Sequence, residues 1–179
     1  MSQSETASQT IIVAPEPLTA EAFAPFGSVA GRDLAKGLSV NQGRALRVPG
    51  IRDLAHDGAA PRPVLDLYRI APSQLPFRLA CLERHPLTSQ AFIPAEGGRL
   101  LVIVAPDDAT GQPDLVRLRA FIAPAGTVIH YRAGAWHSPL IALDAPAVLA
   151  MLMWECGDRR DCEEFFPAAS ITIAAADRT

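Results

Sequence analysis

The chain has no apolar run long enough to cross a bilayer. Its longest apolar stretch, Ala145 to Trp154, contains Pro146 and falls short of the roughly 20 residues that a spanning helix needs. The first ten residues, MSQSETASQT, lack a basic segment followed by an apolar one, so no signal peptide is read there. No block of like charge occurs: 16 Lys and Arg against 19 Asp and Glu leave a net charge of -3. That excludes the basic stripe needed to displace counterions from phosphates, and neither nucleic acid nor membrane is an expected partner. A few local arginines can still serve a small anionic substrate. Three cysteines, Cys81, Cys156 and Cys162, make an odd number without a CxxC pair. This argues against a disulfide framework or structural zinc site and for a reducing cytoplasm. Internal repeats, interdomain linkers and long amphipathic helical patterns are also missing.

What is present reads as β structure. Hydrophobic residues make up 49% of the 179 positions, enough for a substantial core, and 16 prolines and 12 glycines punctuate short strands. Residues 1–10 read as a disordered tail and 11–179 as a single domain. Ile11 to Ala14 is a first strand, and Thr19 caps a short helical turn ended by Pro25 and Gly27. Residues 31–63 read as loops around one short strand, with Asn41-Gln42-Gly43 as a turn. Further strands are expected over Val64–Ile70, Phe77–His85, Ala91–Ile93, Arg99–Ala105, Leu115–Ile122, Thr127–Tyr131 and Val148–Glu155. Many short strands separated by turns predict a sandwich or barrel with a few short helices.

Two stretches carry the polar chemistry. With a two-residue period, Phe77, Leu79, Cys81, Glu83 and His85 share one face, an apolar row ending in a carboxylate and an imidazole. Arg84 alternates to the other face. Leu115, Arg117, Arg119 and Phe121 share a face of their strand. Leu82 and Trp136 point outward, away from Glu83 and His137, as outer packing or a dimer contact.

The spacing across these stretches is Glu83-x-His85-x4-Gln90-x6-Gly97 and Gly126-x5-Arg132-x-Gly134-x2-His137. It resembles the paired motifs of the cupin superfamily, HxH-x(3,4)-E-x6-G and G-x5-PxG-x2-H-x3-N. Glu83, Gln90, Arg132 and Ile141 stand where a histidine, a glutamate, a proline and an asparagine are usual. The resemblance implies a double-stranded β-helix, the all-β cupin jelly roll, with the motif side chains converging in the barrel mouth. ERHPLTSQAFIP, PDLVRLRAFIAPAG, HYRAGAWHSPLIAL and DCEEF more narrowly resemble the ureidoglycolate lyase family. AFAPFGSVA and NQGRALR resemble that family's opening segments. Where the family reads roughly NYHRGVWHHPL, this chain carries His130, Arg132 and Ser138 in place of an asparagine and two histidines. Glu155-Cys156 stands where an Asp-Arg pair is common.

The resemblance implies a C–N lyase that splits ureidoglycolate into glyoxylate and urea in allantoin and purine breakdown, as a homodimer. Elimination needs a base for the hydroxyl proton and an acid for the departing urea nitrogen. His85, His137 and Glu83 are the catalytic candidates. Gln90, Tyr131, Arg119, Arg132 and Asn41 are the substrate-binding candidates, with one arginine expected to hold the carboxylate. Glu83, His85, Gln90 and His137 are also candidate ligands for a divalent metal ion, and whether the cofactor is such an ion or none stays open. Alternatives are a related cupin enzyme acting on another small hydroxy- or oxo-acid derivative, and a non-catalytic cupin that binds a small acid.

Overall fold

A computed structural model describes residues 10–31 and 37–175. The elements in chain order begin with β1 (Thr10–Val13), β2 (Glu16–Pro17), α1 (Ala20–Phe23), β3 (Gly27–Ala30), β4 (Leu38–Val40) and β5 (Ala45–Arg47). There follow β6 (Arg62–Ile70), β7 (Phe77–Leu79), β8 (Leu82–Arg84), β9 (Gln90–Glu96), β10 (Leu100–Ala105) and β11 (Arg119–Ala123). The last six are β12 (Val128–Tyr131), β13 (Trp136–His137), β14 (Ile141–Ala142), β15 (Ala147–Glu155), β16 (Glu163–Phe165) and β17 (Ser170–Ile173). No helix among the described residues is long and apolar enough to cross a membrane.

Two sheets form the jelly roll. The first runs β16-β8-β13-β10-β11-β2, with β14 also on β10; the second runs β3-β12-β9-β15-β6. Their facing sides bury Val102, Val104, Phe121, Tyr131, Leu149 and Met151 in one core. A third, three-stranded sheet, β1-β17-β7, covers the far side of the first sheet. There Leu82, Leu101, Ile103, Trp136, Ile171 and Ile173 form a second core. The first sheet is thus a middle layer, and β10 shows it: Leu100 to Ala105 are all buried, alternating between the two cores. A strand covered on both faces reads as an unbroken apolar run.

The third layer overturns one expectation. Leu82 and Trp136 do face away from Glu83 and His137, but that side is interior, and they are only 0% and 2% exposed. The Trp136 ring stands edge-on to Phe165, under the Arg84 guanidinium, and its Nε1 donates to the Gly111 carbonyl. Neither residue is free to form a dimer contact.

Two strand expectations are also corrected. Phe77–His85 is not one strand: β7 pairs with β17, whereas β8 pairs with β13 and β16. Leu79 and Leu82 share the second core across the break, which a single two-residue alternation forbids. Phe77 and Leu79 therefore do not continue the row of Glu83, and Cys81 at the break is half-buried rather than core. Leu115–Arg117 is a turn of 3-10 helix because the Asp114 carboxylate accepts from the Val116 and Arg117 N–H groups. The strand starts at Arg119, and Arg117 leaves the expected row.

Residues 31–63 carry a pair of short strands, β4 and β5, where one was expected, and the remaining expectations hold with shifted limits. Thr19 Oγ1 accepts from Ala22 N and caps α1. Residues 41–43 turn between β4 and β5, with Asn41, Gln42 and Gly43 all at positive φ. Thr10, placed in the expected tail, belongs to β1, which pairs in parallel with β17; the tail's remaining residues lie outside those described. Gly97, the last residue of the first motif, has φ +123° and lies against Ala147, where a Cβ would come within 2.9 Å of its Cα.

Candidate active site

Glu83 is the midpoint of β8 and is paired on one side with His137 of β13 and on the other with Glu164 of β16. Directly opposed residues in an antiparallel pair share a face, so Glu83 and His137 leave the middle sheet together. Glu83 Oε1 lies 3.7 Å from His137 Nε2, and the Cys162 thiol lies 3.9 Å from the other carboxylate oxygen. Burial raises the Glu83 pKa; nearby His85 opposes that and Glu164 reinforces it.

His85 follows directly after β8, where Pro86 turns the chain. Its carbonyl accepts from the Gly134 N–H at 2.9 Å, tying together the two motif loops. Gly134 has φ +74°, a conformation that suits glycine in the turn leading to His137. The His85 ring is buried, with Nδ1 2.6 Å from the Asp161 carbonyl. Its Nε2 is buried and has no hydrogen-bond partner among the described residues.

His137 is held in the same manner, Nδ1 lying 2.8 Å from the Ala135 carbonyl. A carbonyl only accepts, so Nδ1 carries the proton in both rings and Nε2 is the free nitrogen. Burial, helped by the proximity of His85, pushes the His137 pKa down to about 3 and leaves the ring neutral. Gln90 Oε1 lies 3.1 Å from His137 Nε2, and the Gln90 amide nitrogen lies 3.7 Å from Met153 Sδ. A neutral His137 then needs the amide to turn over and donate, or a cation shared by both atoms. Tyr131 stacks on the ring from β12, and its buried hydroxyl has no hydrogen-bond partner among the described residues.

The donor atoms of Glu83, His85 and His137 all lie within 4.8 Å of one another. Two imidazoles with Nδ1–H fixed on backbone carbonyls, a carboxylate and an orphaned Nε2 make a donor set that fits a divalent ion with open positions. Glu83 and Gln90 open onto a cavity of about 340 Å³. Phe92, Ile70, Ala71, Pro139 and Leu140 wall it, and Tyr68 and Arg69 complete its lining.

Sequence reasoning therefore finds Glu83, His85, Gln90, Tyr131 and His137 in one cluster. Its arginines are elsewhere engaged. Arg119 forks onto both Glu16 carboxylate oxygens at 2.9 and 2.8 Å and donates to the Ala22 carbonyl. Arg132 donates to the Pro25 and Ala133 carbonyls. Asn41 is exposed on the β4–β5 hairpin, a sheet separate from the jelly roll. Tyr68 and Arg69 were missed, and no local signal marks them. Only the sheet order, with β6 at the edge beside β15, brings the end of β6 to this cavity.

The sequence model of a family described as ureidoglycolate lyase matches residues 10–174. A ureidoglycolate lyase of Burkholderia mallei (strain NCTC 10229) is 43% identical over 130 residues, 72% of this chain and 74% of that protein. One from Brucella anthropi is 36% identical over 158 residues, covering 88% and 90%. Among solved structures, a dTDP sugar isomerase from Desulfovibrio desulfuricans G20 matches with a TM-score of 0.48 and 17% identity, covering 79% of this chain and 85% of that one.

Proposed function

The chain belongs to the ureidoglycolate lyase family, and we propose that it cleaves ureidoglycolate to glyoxylate and urea. The observation that carries this reading is Glu83: a carboxylate of raised proton affinity, on a cavity wall, within reach of His137. A base is most effective when its pKa approaches the working pH, and burial moves Glu83 in that direction. Glu83 takes the hydroxyl proton as the carbonyl of glyoxylate forms. The proton then returns to the departing urea nitrogen, which is too basic to leave as an anion. Gln90 and the Tyr131 hydroxyl supply hydrogen bonds to the ureido group. His85 and His137, each fixed by a backbone carbonyl, offer Nε2 at the same point and hold the reacting groups in orientation.

Glu83, His85 and His137, with Gln90 beside them, would hold a divalent ion. When bound, it supplies Lewis-acid stabilisation of negative charge developing on oxygen.

Finer features extend the proposal. The reaction places the protein in allantoin and purine nitrogen breakdown, and the three free cysteines accord with a reducing cytoplasm. A homodimer is supported by the outer face of β6, where Leu65 and Leu67 are 69% and 76% exposed on an edge strand. A second reading, another small hydroxy- or oxo-acid derivative as substrate, is favoured by the loss of a guanidinium at Cys156.

The test is release of glyoxylate and urea from racemic ureidoglycolate by the purified protein, with and without added divalent metal. A rate no faster than the spontaneous one under both conditions overturns the proposal.

A further inference from the structure

A neutral imidazole carries its proton on either ring nitrogen, so each histidine of the cluster needs a partner that selects one. His137 is held twice, by the Ala135 carbonyl two residues back and by the Tyr131 stack. His85 is held once. Among the described residues its ring makes one hydrogen bond, between Nδ1 and the Asp161 carbonyl, 76 residues further on. That carbonyl lies in the loop between β15 and β16, which crosses from the second sheet to the first. A loop carbonyl selects a tautomer only if the loop itself is tied down.

Asp161 ties its own loop. One oxygen of its carboxylate accepts from the Cys156 N–H at 2.7 Å, and the other accepts from Gly157 at 2.7 Å and Asp158 at 3.1 Å. Its own N–H donates to the Asp158 carbonyl at 3.0 Å and closes the turn. We propose that Asp161 is a positioning residue for His85. Its side chain locks residues 156–161, and its main-chain carbonyl thereby keeps the His85 proton on Nδ1 and leaves Nε2 free for the cluster. The proposal rests on the reading of His85 as a site residue.

The fold itself makes little use of this carboxylate. Residues 157–160 are exposed and add no side chain to either core, so water satisfies their N–H groups once the loop is loosened. Three donors on two oxygens suit a carboxylate; a carboxamide would turn an NH2 group toward one set of N–H groups. The next residue, Cys162, sets its thiol 3.9 Å from Glu83, so the loop touches both polar residues at the end of β8.

Long-range nitrogen–proton correlation spectra of isotope-labelled protein distinguish a protonated ring nitrogen from a bare one. The chain has four histidines, and the His85 signals are those lost in His85→Ala. At about pH 8, where an ordinary imidazole is neutral, wild-type His85 shows a single tautomer with its proton on Nδ1. In Asp161→Ala the two tautomers of His85 average, while His137 keeps its Nδ1 proton. The kcat for ureidoglycolate falls about ten- to a hundredfold, the range for losing the partner that orients a metal-ligating imidazole. Asp161→Asn retains one acceptor oxygen and falls between the two. Asp108→Ala breaks a comparable turn, in which Asp108 Oδ1 accepts from the Thr110 and Gln112 N–H groups, and leaves His85 and kcat as in wild type. The inference is overturned by wild-type His85 protonated on Nε2. It is equally overturned by folded Asp161→Ala protein (Asp161→Asn where alanine does not fold) that keeps the single Nδ1–H tautomer. An active lyase whose His85 tautomer ignores Asp161 sinks this inference and spares the proposed function. Wild-type protein without lyase activity whose His85 tautomer still follows Asp161 does the reverse.

Discussion

Tyr131 lies flat on His137, ring centroids 4.0 Å apart and planes 14° from parallel. The stack holds the imidazole plane while the Ala135 carbonyl holds its tautomer. Yet the Tyr131 hydroxyl makes no hydrogen bond among the described residues, and leaving such a group buried costs roughly 1–3 kcal/mol. Tyr131→Phe keeps the stack and deletes the hydroxyl. Its Tm is expected to match or exceed that of wild type, while KM for ureidoglycolate rises about tenfold. An unchanged KM would assign Tyr131 to packing alone.

His85→Ala and His137→Ala proteins that retain the wild-type near-ultraviolet spectrum should lose about a hundredfold or more in kcat. The same variants test the donor set independently of turnover. A divalent ion at a hundredfold excess over its Kd stabilises a folded protein by about 2.7 kcal/mol, so it should raise the Tm of wild type. The rise should vanish in both variants and reverse with a chelator. A metal-induced shift retained by His85→Ala would remove its orphaned Nε2 from the ligand set.

His130 offers a pH test away from the metal-ligand candidates. It is buried on β12, with Nδ1 3.0 Å from Ser28 Oγ, which in turn donates to Asp53. Burial lowers its pKa below 6.5, and Asp53 only partly offsets this. As pH falls, the unfolded chain takes up this proton first, so the contribution to stability is full above 6.5 and shrinks below it. His130→Asn removes that contribution. Its Tm should fall less than that of wild type between about pH 7.5 and 5.5. Equal slopes would show that His130 does not govern acid sensitivity.

The two candidate contact surfaces give opposite expectations. Trp136→Ala empties a core position and should destabilise by about 3–5 kcal/mol in denaturant unfolding, whatever the protein concentration. Leu67→Asp lies on the exposed face of β6 and should leave the protomer's stability within about 0.5 kcal/mol, yet shift sedimentation toward the monomer. Sedimentation unaffected by Leu67→Asp would discard this face as the homodimer contact.

The cluster was legible because its residues are set by strand alternation and motif spacing, both local properties. Glu83 and His137 fall opposite each other on neighbouring strands, where the two motifs place them. Alternation gives Leu82 and Trp136 the correct face but not what covers it, because two of the three covering strands, β1 and β17, come from opposite ends of the chain. Arg119 and Arg132 were unreadable for a related reason. Their partners, Glu16 and Pro25, lie about a hundred residues away and declare nothing about a distant guanidinium. Arg69 needed the sheet order itself.

The doubly buried β10 leaves one problem to another part of the molecule. In most strands a slip by one residue turns apolar side chains into water, which fixes the pairing. In β10 the same slip would merely exchange two apolar rows between two cores, so hydrophobicity alone sets its position weakly. The stop is at its entrance. There the Asp144 carboxylate accepts from the Arg99 backbone N–H at 3.0 Å and pairs with the Arg99 guanidinium at 2.6 Å. Since Val104 of β10 lies opposite His137, an exposed ion pair at one end of the strand indexes the His137 imidazole at the other.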